Sequence, residues 1–509
     1  MYVDIRFDQV TLFDGESIKT DHTLLIKGEK FLWIGPTDDL DENIYQYGVC
    51  INASKLYVLP GFIDSHIHLL RSAISSLGYD FSKVTDQGSP GFFAKLKEIS
   101  MLERPELSSW VVGYFLDESN PEIQNVINRE YVDRILPNVP FVLHFKSGHG
   151  YLLNTVALER LGIQNNSVEP SGVTFQRSLI DGTLTGVIYE GQKILSGRIS
   201  SIPQEAMTEA VVRFNRLLIS RGITSVVDCS PGNNWKRFLN MQDRIQSGEV
   251  TVDVVFMVGA EFIKEFIENE VKFGEIRGGV QVGHVKIVIT ASSGRLHPNA
   301  IVLNEIIRYC HDQGYPVAIH AVERDAVNMA VDILSKYPFH GDRLEHVSEL
   351  EDATLHKLRK TYVSVSAQPG FILHHGDRYI RETPSSDVKY LHRIGSMVST
   401  GIPVGYSSDS PVTFPDPMEF LYVASTRTTS QGAVLNKLEH VSKFDSMRAI
   451  TSVNAKISGL SVRKGWIQSG YEADMVAMTH DPFNHDFNDS MEHYIKFVLR
   501  RGKILSGSF

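Results

Sequence analysis

Two histidines one residue apart, His66 and His68, end the apolar run LPGFIDSHIHL (59–69). In a strand, residues i and i+2 point to one side, so the two imidazoles would converge. Such a pair can bind one divalent cation. A chance HxH on a loop or in a core is the plain alternative. His320 ends VAIHAV (317–322) and His346 lies in RLEHV (343–347). Each alone also fits a hydrogen-bonded core histidine. Asp409 lies in GYSSDSP (405–411). An acid at the end of a buried strand must be paired or metal-bound, unless it caps the turn before Ser410-Pro411. These five residues fall at the same end of separate apolar runs, which packing alone explains poorly. Lys286 in HVKIVIT (284–290) is the sixth. A lysine in a strand covered on both faces is costly unless paired. Held neutral, its amine is nucleophilic and can add carbon dioxide to give a carbamate, an anionic oxygen ligand able to bridge two metals. Pairing with an acid and a Schiff base are the other roles open to it; the histidine set argues against the latter.

The elements that must position these residues follow from the apolar runs. There are eight, at 57–69, 222–229, 252–258, 284–290, 316–322, 343–347, 362–369 and 403–411. Helical patterns such as NAIVLNEIIRYCHDQG and ERDAVNMAVDILSKY separate them. Strands alternating with helices indicate βα units and a parallel sheet. Eight units predict an α/β fold, a (β/α)8 TIM-type barrel, with an open doubly wound sheet as the alternative. In a barrel, the C-terminal strand ends carry the chemistry, and that is where the six residues fall.

The interval between the first two runs is too long for one helix. An insertion at about 72–205, over the barrel mouth, is expected, with strand-like SWVVGYFLDE, VPFVLHFKSGH and LTGVIYEG. Its aromatics (Tyr79, Phe81, Phe92, Phe93, Trp110, Tyr114, Phe115) form either an apolar pocket or the insertion's own core. Both ends of the chain read as short strands joined by the turns KGEK and RGK. They predict a small β-sandwich domain from 1–58 and 461–509, with the barrel at 59–460.

Composition narrows the function. The 509 residues carry a net charge of −10, with 42% hydrophobic and 22% charged residues. No basic block exists to hold nucleic acid. No apolar run approaches the roughly 20 residues that span a bilayer. The start, MYVDIRFDQV, lacks a signal-peptide pattern. Three scattered cysteines (Cys50, Cys229, Cys310) imply no disulfide framework and fit the cytoplasm. The expected partner is a small-molecule substrate, and a homodimer is the base-rate state.

The arrangement resembles the amidohydrolase superfamily, with GFIDSHIHL as its first-strand signature and SGYEADMVAMTHDPF as its closing segment. Within it the chain looks most like the YtcJ-like (amidohydrolase 3) branch, which includes N-substituted formamide deformylase. SGHGYLLNTVAL, TGVIYE, HVKI, VAIHAVERDAV, RLEHV, AQP and SSDSPV agree in order and spacing. Departures are Lys146 and Ser147 before the GH pair, ITASSGRLHP after the fourth strand, and Glu323-Arg324 after His320-Ala321-Val322. They leave the metal set intact and put the substrate in doubt.

The resemblance implies a hydrolase of C–N bonds in amides, N-acyl or N-formyl compounds, or cyclic amides. His66 and His68 would hold one Zn2+ and His320 and His346 a second. Carboxylated Lys286 would bridge them, and Asp409 would complete the first site and shuttle the proton. His149 would donate to the oxyanion, and Gln368 and Phe371 would line the pocket. A single-metal deaminase of a cyclic C=N substrate, a lyase or isomerase on the same metals, and a catalytically dead barrel are the alternatives.

Overall fold

The computed structural model describes residues 2–41, 43, 45–102, 110–118, 120–170, 172–195, 203–292, 294–484 and 494–507. Parts of the expected insertion (103–109, 196–202) and of the expected terminal domain (485–493) lie outside the described residues. Contacts divide the chain into two compact units. One comprises 1–69, 214–289 and 298–509, the other 70–213 and 290–297.

The first unit contains eight parallel strands. They are β1 (Phe62–Ile67), β2 (Ile223–Asp228), β3 (Asp253–Gly259) and β4 (Val280–Val288). β5 (Val317–Ala321), β6 (Arg343–His346), β7 (Ser364–Ala367) and β8 (Val404–Tyr406) follow. Each pairs with its successor in chain order. Just past β8 the chain returns to β1: the Asp409 N–H donates to His66 O at 2.8 Å, and the His68 N–H to Ser410 O at 2.9 Å. This is the barrel read from the sequence. Its strands are covered on both faces, which is why they are continuous apolar runs; all seven residues of β3, DVVFMVG, are buried. The helix Arg324–Leu334 shows the matching helical stripe, burying Ala326, Val327, Ala330, Val331, Ile333 and Leu334.

Both termini share one eight-stranded sheet in this unit. Tyr2–Phe13 pairs with Ile18–Lys27, and Met475–Met478 pairs antiparallel with Tyr57–Pro60. The RGK turn has positive φ at Arg501 (48°) and Gly502 (71°), as a two-residue hairpin loop demands. A Cβ on Gly502 would also meet Gly28 O at 2.3 Å. A buried ionic cluster ties this sheet to the start of β3. The Lys464 ammonium contacts Asp253, Asp474 and, at 2.9 Å, Glu472. Arg501 reaches Asp253 at 3.0 Å.

The second unit has its own six-stranded sheet. Thr174–Arg177 and Leu184–Tyr189 lead through Gly150–Leu153, Phe141–Phe145 and Val111–Leu116 to Tyr79–Asp80. Phe81, Phe92, Leu96, Phe141 and Leu152 form one of its cores, with Tyr79 and Phe93 packed against it. Trp110 belongs to a neighbouring cluster with Leu158 and Phe175. Among the described residues no helix is long and apolar enough to cross a membrane.

Candidate metal centre

The C-terminal ends of β1, β4, β5, β6 and β8 deliver the site. Alternation along β1 puts Asp64, His66 and His68 on one side. Asp64 fastens β8 in place, accepting from Ser408 N at 3.1 Å, Ser408 Oγ at 2.6 Å and His66 N at 3.3 Å. Burial outweighs these bonds and raises its carboxyl to about 7.

Three ligand-type residues converge: side-chain atoms of His66, His346 and Asp409 lie within 4.8 Å of one another. Asp409 Oδ1 is 3.4 Å from His66 Nε2 and 3.1 Å from His68 Nε2, without hydrogen-bond geometry to a partner. Lys286 Nζ is 3.5 Å from His66 Nε2. Lys286 is buried, and among the described residues no carboxylate lies within ion-pair distance of it. The His320 ring centre is 4.5 Å from that of His346.

The ring orientations are set from behind. His66 Nδ1 is 2.6 Å from Glu345 Oε2, and His346 Nδ1 is 2.9 Å from Gln368 Oε1. Both oxygens are acceptors, so the proton sits on Nδ1 and each Nε2 turns its lone pair into the site, that of His66 towards Lys286 Nζ. Burial, then the Lys286 charge, pushes His66 down to about 3; burial pushes His346 down to about 4. Both are neutral imidazoles at neutral pH, the form that binds metal. Burial alone would raise Asp409, but His66, His68 and His346 hold its carboxyl far below the usual range. Neutral imidazoles plus one carboxylate suit a divalent transition-metal ion.

Glu345 and Arg343 carry a role that RLEHV did not reveal by its histidine. Arg343 Nε donates to Glu345 Oε1 at 2.6 Å and Nη2 to Ser65 O at 2.7 Å, all fully buried. Burial works to raise Glu345, yet Arg343, His66 and Lys286 hold it well below the carboxylate range. Two charged residues at i and i+2 of a buried strand were the available signal. In a regular strand Glu345 and His346 would face opposite sides. The chain breaks that alternation: φ is 75° at His346 and 53° at Val347, with 54° at Asp409. Left-handed φ is uncommon outside glycine and strained for a β-branched residue, and it collects at functional sites.

Gln368 and Phe371 sit beside the centre, each in contact with His346. Both ends of the buried Gln368 amide bind protein: Oε1 holds His346, and Nε2 donates to Ser366 O and Ser407 Oγ. Phe371 stacks on the His346 ring at 6.1 Å and is 8% exposed. His149 belongs to the second unit, where its Nδ1 is 2.8 Å from Glu190 Oε1.

A barrel with histidines and an aspartate gathered at its C-terminal strand ends defines a metal-dependent hydrolase class. The sequence model of the Amidohydrolase family (Amidohydro_3) matches residues 49–505, and the chain belongs to that family. It is 23% identical over 461 residues to the YtcJ protein of Bacillus subtilis (strain 168), covering 86% of each chain. It is also 23% identical over 505 residues to N-substituted formamide deformylase of Arthrobacter pascens, covering 90% of each. Among solved structures, a metal-dependent hydrolase of Pyrococcus horikoshii OT3 superposes with a TM-score of 0.75 at 21% identity. That match covers 96% of this chain and 99% of the other, and it shows a shared fold.

Proposed function

We propose that this amidohydrolase cleaves the C–N bond of an amide, N-acyl or N-formyl small molecule, using two divalent metal ions, zinc by default. The observation that carries this reading is the convergence of His66, His346 and Asp409 within 4.8 Å, with Lys286 3.5 Å from His66. His66, His68 and Asp409 would hold one ion and His320 and His346 the other. The Lys286 amine would add carbon dioxide, losing one proton, and bridge them as a carbamate. Bound metal would lower the pKa of a water towards neutrality and polarise the scissile carbonyl. Asp409 would take the proton of the attacking water and pass it to the leaving nitrogen. The 23% identity to a protein named N-substituted formamide deformylase makes N-substituted formamides the first compounds to screen.

The test is metals per chain by mass spectrometry, on protein grown with zinc and bicarbonate, beside Lys286→Ala and His66→Ala. Near two metals, falling in Lys286→Ala, is the expected result. Near one metal, indifferent to Lys286→Ala, overturns the bridged centre and turns the search to deaminase substrates.

A further inference from the structure

A second polar cluster, wholly inside the second unit, is used by nothing above. It centres on Arg71, in the helix Leu69–Ser75. Among the described residues the guanidinium has no carboxylate partner; it makes a long 3.4 Å bond from Nη2 to Gly148 O. It rests where a Cβ at residue 148 would lie 3.3 Å from Nη2, so the glycine lets the cation settle against the backbone.

Its charge acts on three rings: Tyr114, His144 and Tyr151. His144 lies between the phenols, stacked on Tyr114 at 4.6 Å and edge-on to Tyr151 at 4.9 Å. Both of its ring nitrogens are buried and neither has a hydrogen-bond partner. A neutral imidazole has one donor and one acceptor to satisfy, and leaving both unmet in a buried place is costly. Burial, then Arg71, lowers its pKa to about 3, so it stays neutral and one nitrogen is a donor. Among the described residues neither phenol oxygen has a hydrogen-bond partner. Three kinds of donor thus stand together unmatched: a guanidinium fork, two hydroxyls and one imidazole N–H.

We propose that Arg71, Tyr114, His144 and Tyr151 form a recognition site for the carboxylate of a small organic acid. Guanidinium and carboxylate match as planar two-pronged partners, and charge-assisted bonds are the strong ones. One cation, with the Glu190 carboxylate also acting on Tyr151, matches a single negative charge better than a phosphate dianion. The proposal is independent of the hydrolytic reading and adds a ligand class to it.

The experiment is calorimetric titration of the full chain with N-acetylglycinate and with N-acetylglycinamide, which has the same shape without the charge. Inorganic phosphate is a third probe. A metal could also take a carboxylate, so the series is repeated after chelation. The expected result is about tenfold or greater preference for the carboxylate over the amide, persisting without metal. Arg71→Gln should bring that ratio near one while metals per chain stay unchanged. Tyr151→Phe is a milder second variant and should weaken the carboxylate alone. Equal binding of the two probes, tighter binding of phosphate, or no heat from either at about 10 mM would each overturn the proposal. Loss of metals with the preference intact would instead count against the centre and not against this site.

Discussion

Two buried clusters in the barrel unit gather acidic groups, and they resolve the same problem differently. At the start of β3, Asp253, Glu472 and Asp474 offer a geometric cation site. The chain fills it with its own cation, the Lys464 ammonium, backed by Arg500 and Arg501. Attraction to these cations outweighs burial and lowers Asp253, while the surrounding carboxylates raise Lys464. At the other ends of the strands, His66, His346 and Asp409 also offer a cation site. There the facing groups are neutral rings and one carboxylate, with the buried Lys286 Nζ 3.5 Å from His66 Nε2. A buried anionic cluster that supplies its own counter-charge holds structure. One made of neutral imidazoles around a single carboxylate keeps ligand atoms for a cation from outside.

The sharpest break between the clusters should come from the acid. Asp409→Asn keeps an oxygen but removes the base, and kcat should fall by about 10²–10⁴-fold. The check is kcat on a compound that the wild type is found to turn over. Lys464→Met does the opposite: it leaves three carboxylates, those of Asp253 and Asp474 buried, without their central cation. Chemical denaturation should show a loss of about 3–5 kcal/mol, while metals per chain in the surviving folded protein stay at the wild-type value. If Lys464→Met instead strips metal, the clusters are not separate in role. Glu345→Gln is subtler, because the shape is kept and only the charge behind His66 is lost. Metal affinity, measured by competition with a chelator, should fall about 10–100-fold.

The smallest effect is a slope. His392 has its pKa pushed down to about 3 by burial first, then by Arg427 and His346, from an ordinary 6.5. Its folded pKa lies below its unfolded one, so between 6.5 and 3 only the unfolded chain takes the proton. Stability is therefore full above that window and lost as pH falls through it, by about 1.4 kcal/mol per pH unit for one proton. Denaturation midpoints followed from pH 7 to 5 should fall less steeply in His392→Leu than in wild type.

The barrel was legible because each strand is an apolar β-branched run and each helix an amphipathic stripe, patterns set by local periodicity. Register along β1 was legible too, since alternation alone puts His66 and His68 on one side. Glu345 was not. RLEHV carries its charge openly, but its partner His66 lies 279 residues away. Gln368 was named from the sequence as a pocket residue, but its bond to His346, 22 residues away, was not readable there. Nor was the place of Arg71, because a cation without a carboxylate partner is recognised only once its neighbours are known.

By itself, then, the sequence determined which residues end the strands and which way they alternate, because those depend on neighbours a few positions apart. Only the tertiary structure decided how the ends are used. It brought β1 beside β8, turned His346 out of alternation, put an arginine-held carboxylate behind His66, and closed a lysine among three carboxylates in one cluster while setting Lys286 against an imidazole in the other. Those choices rest on contacts across hundreds of residues, which no local pattern encodes.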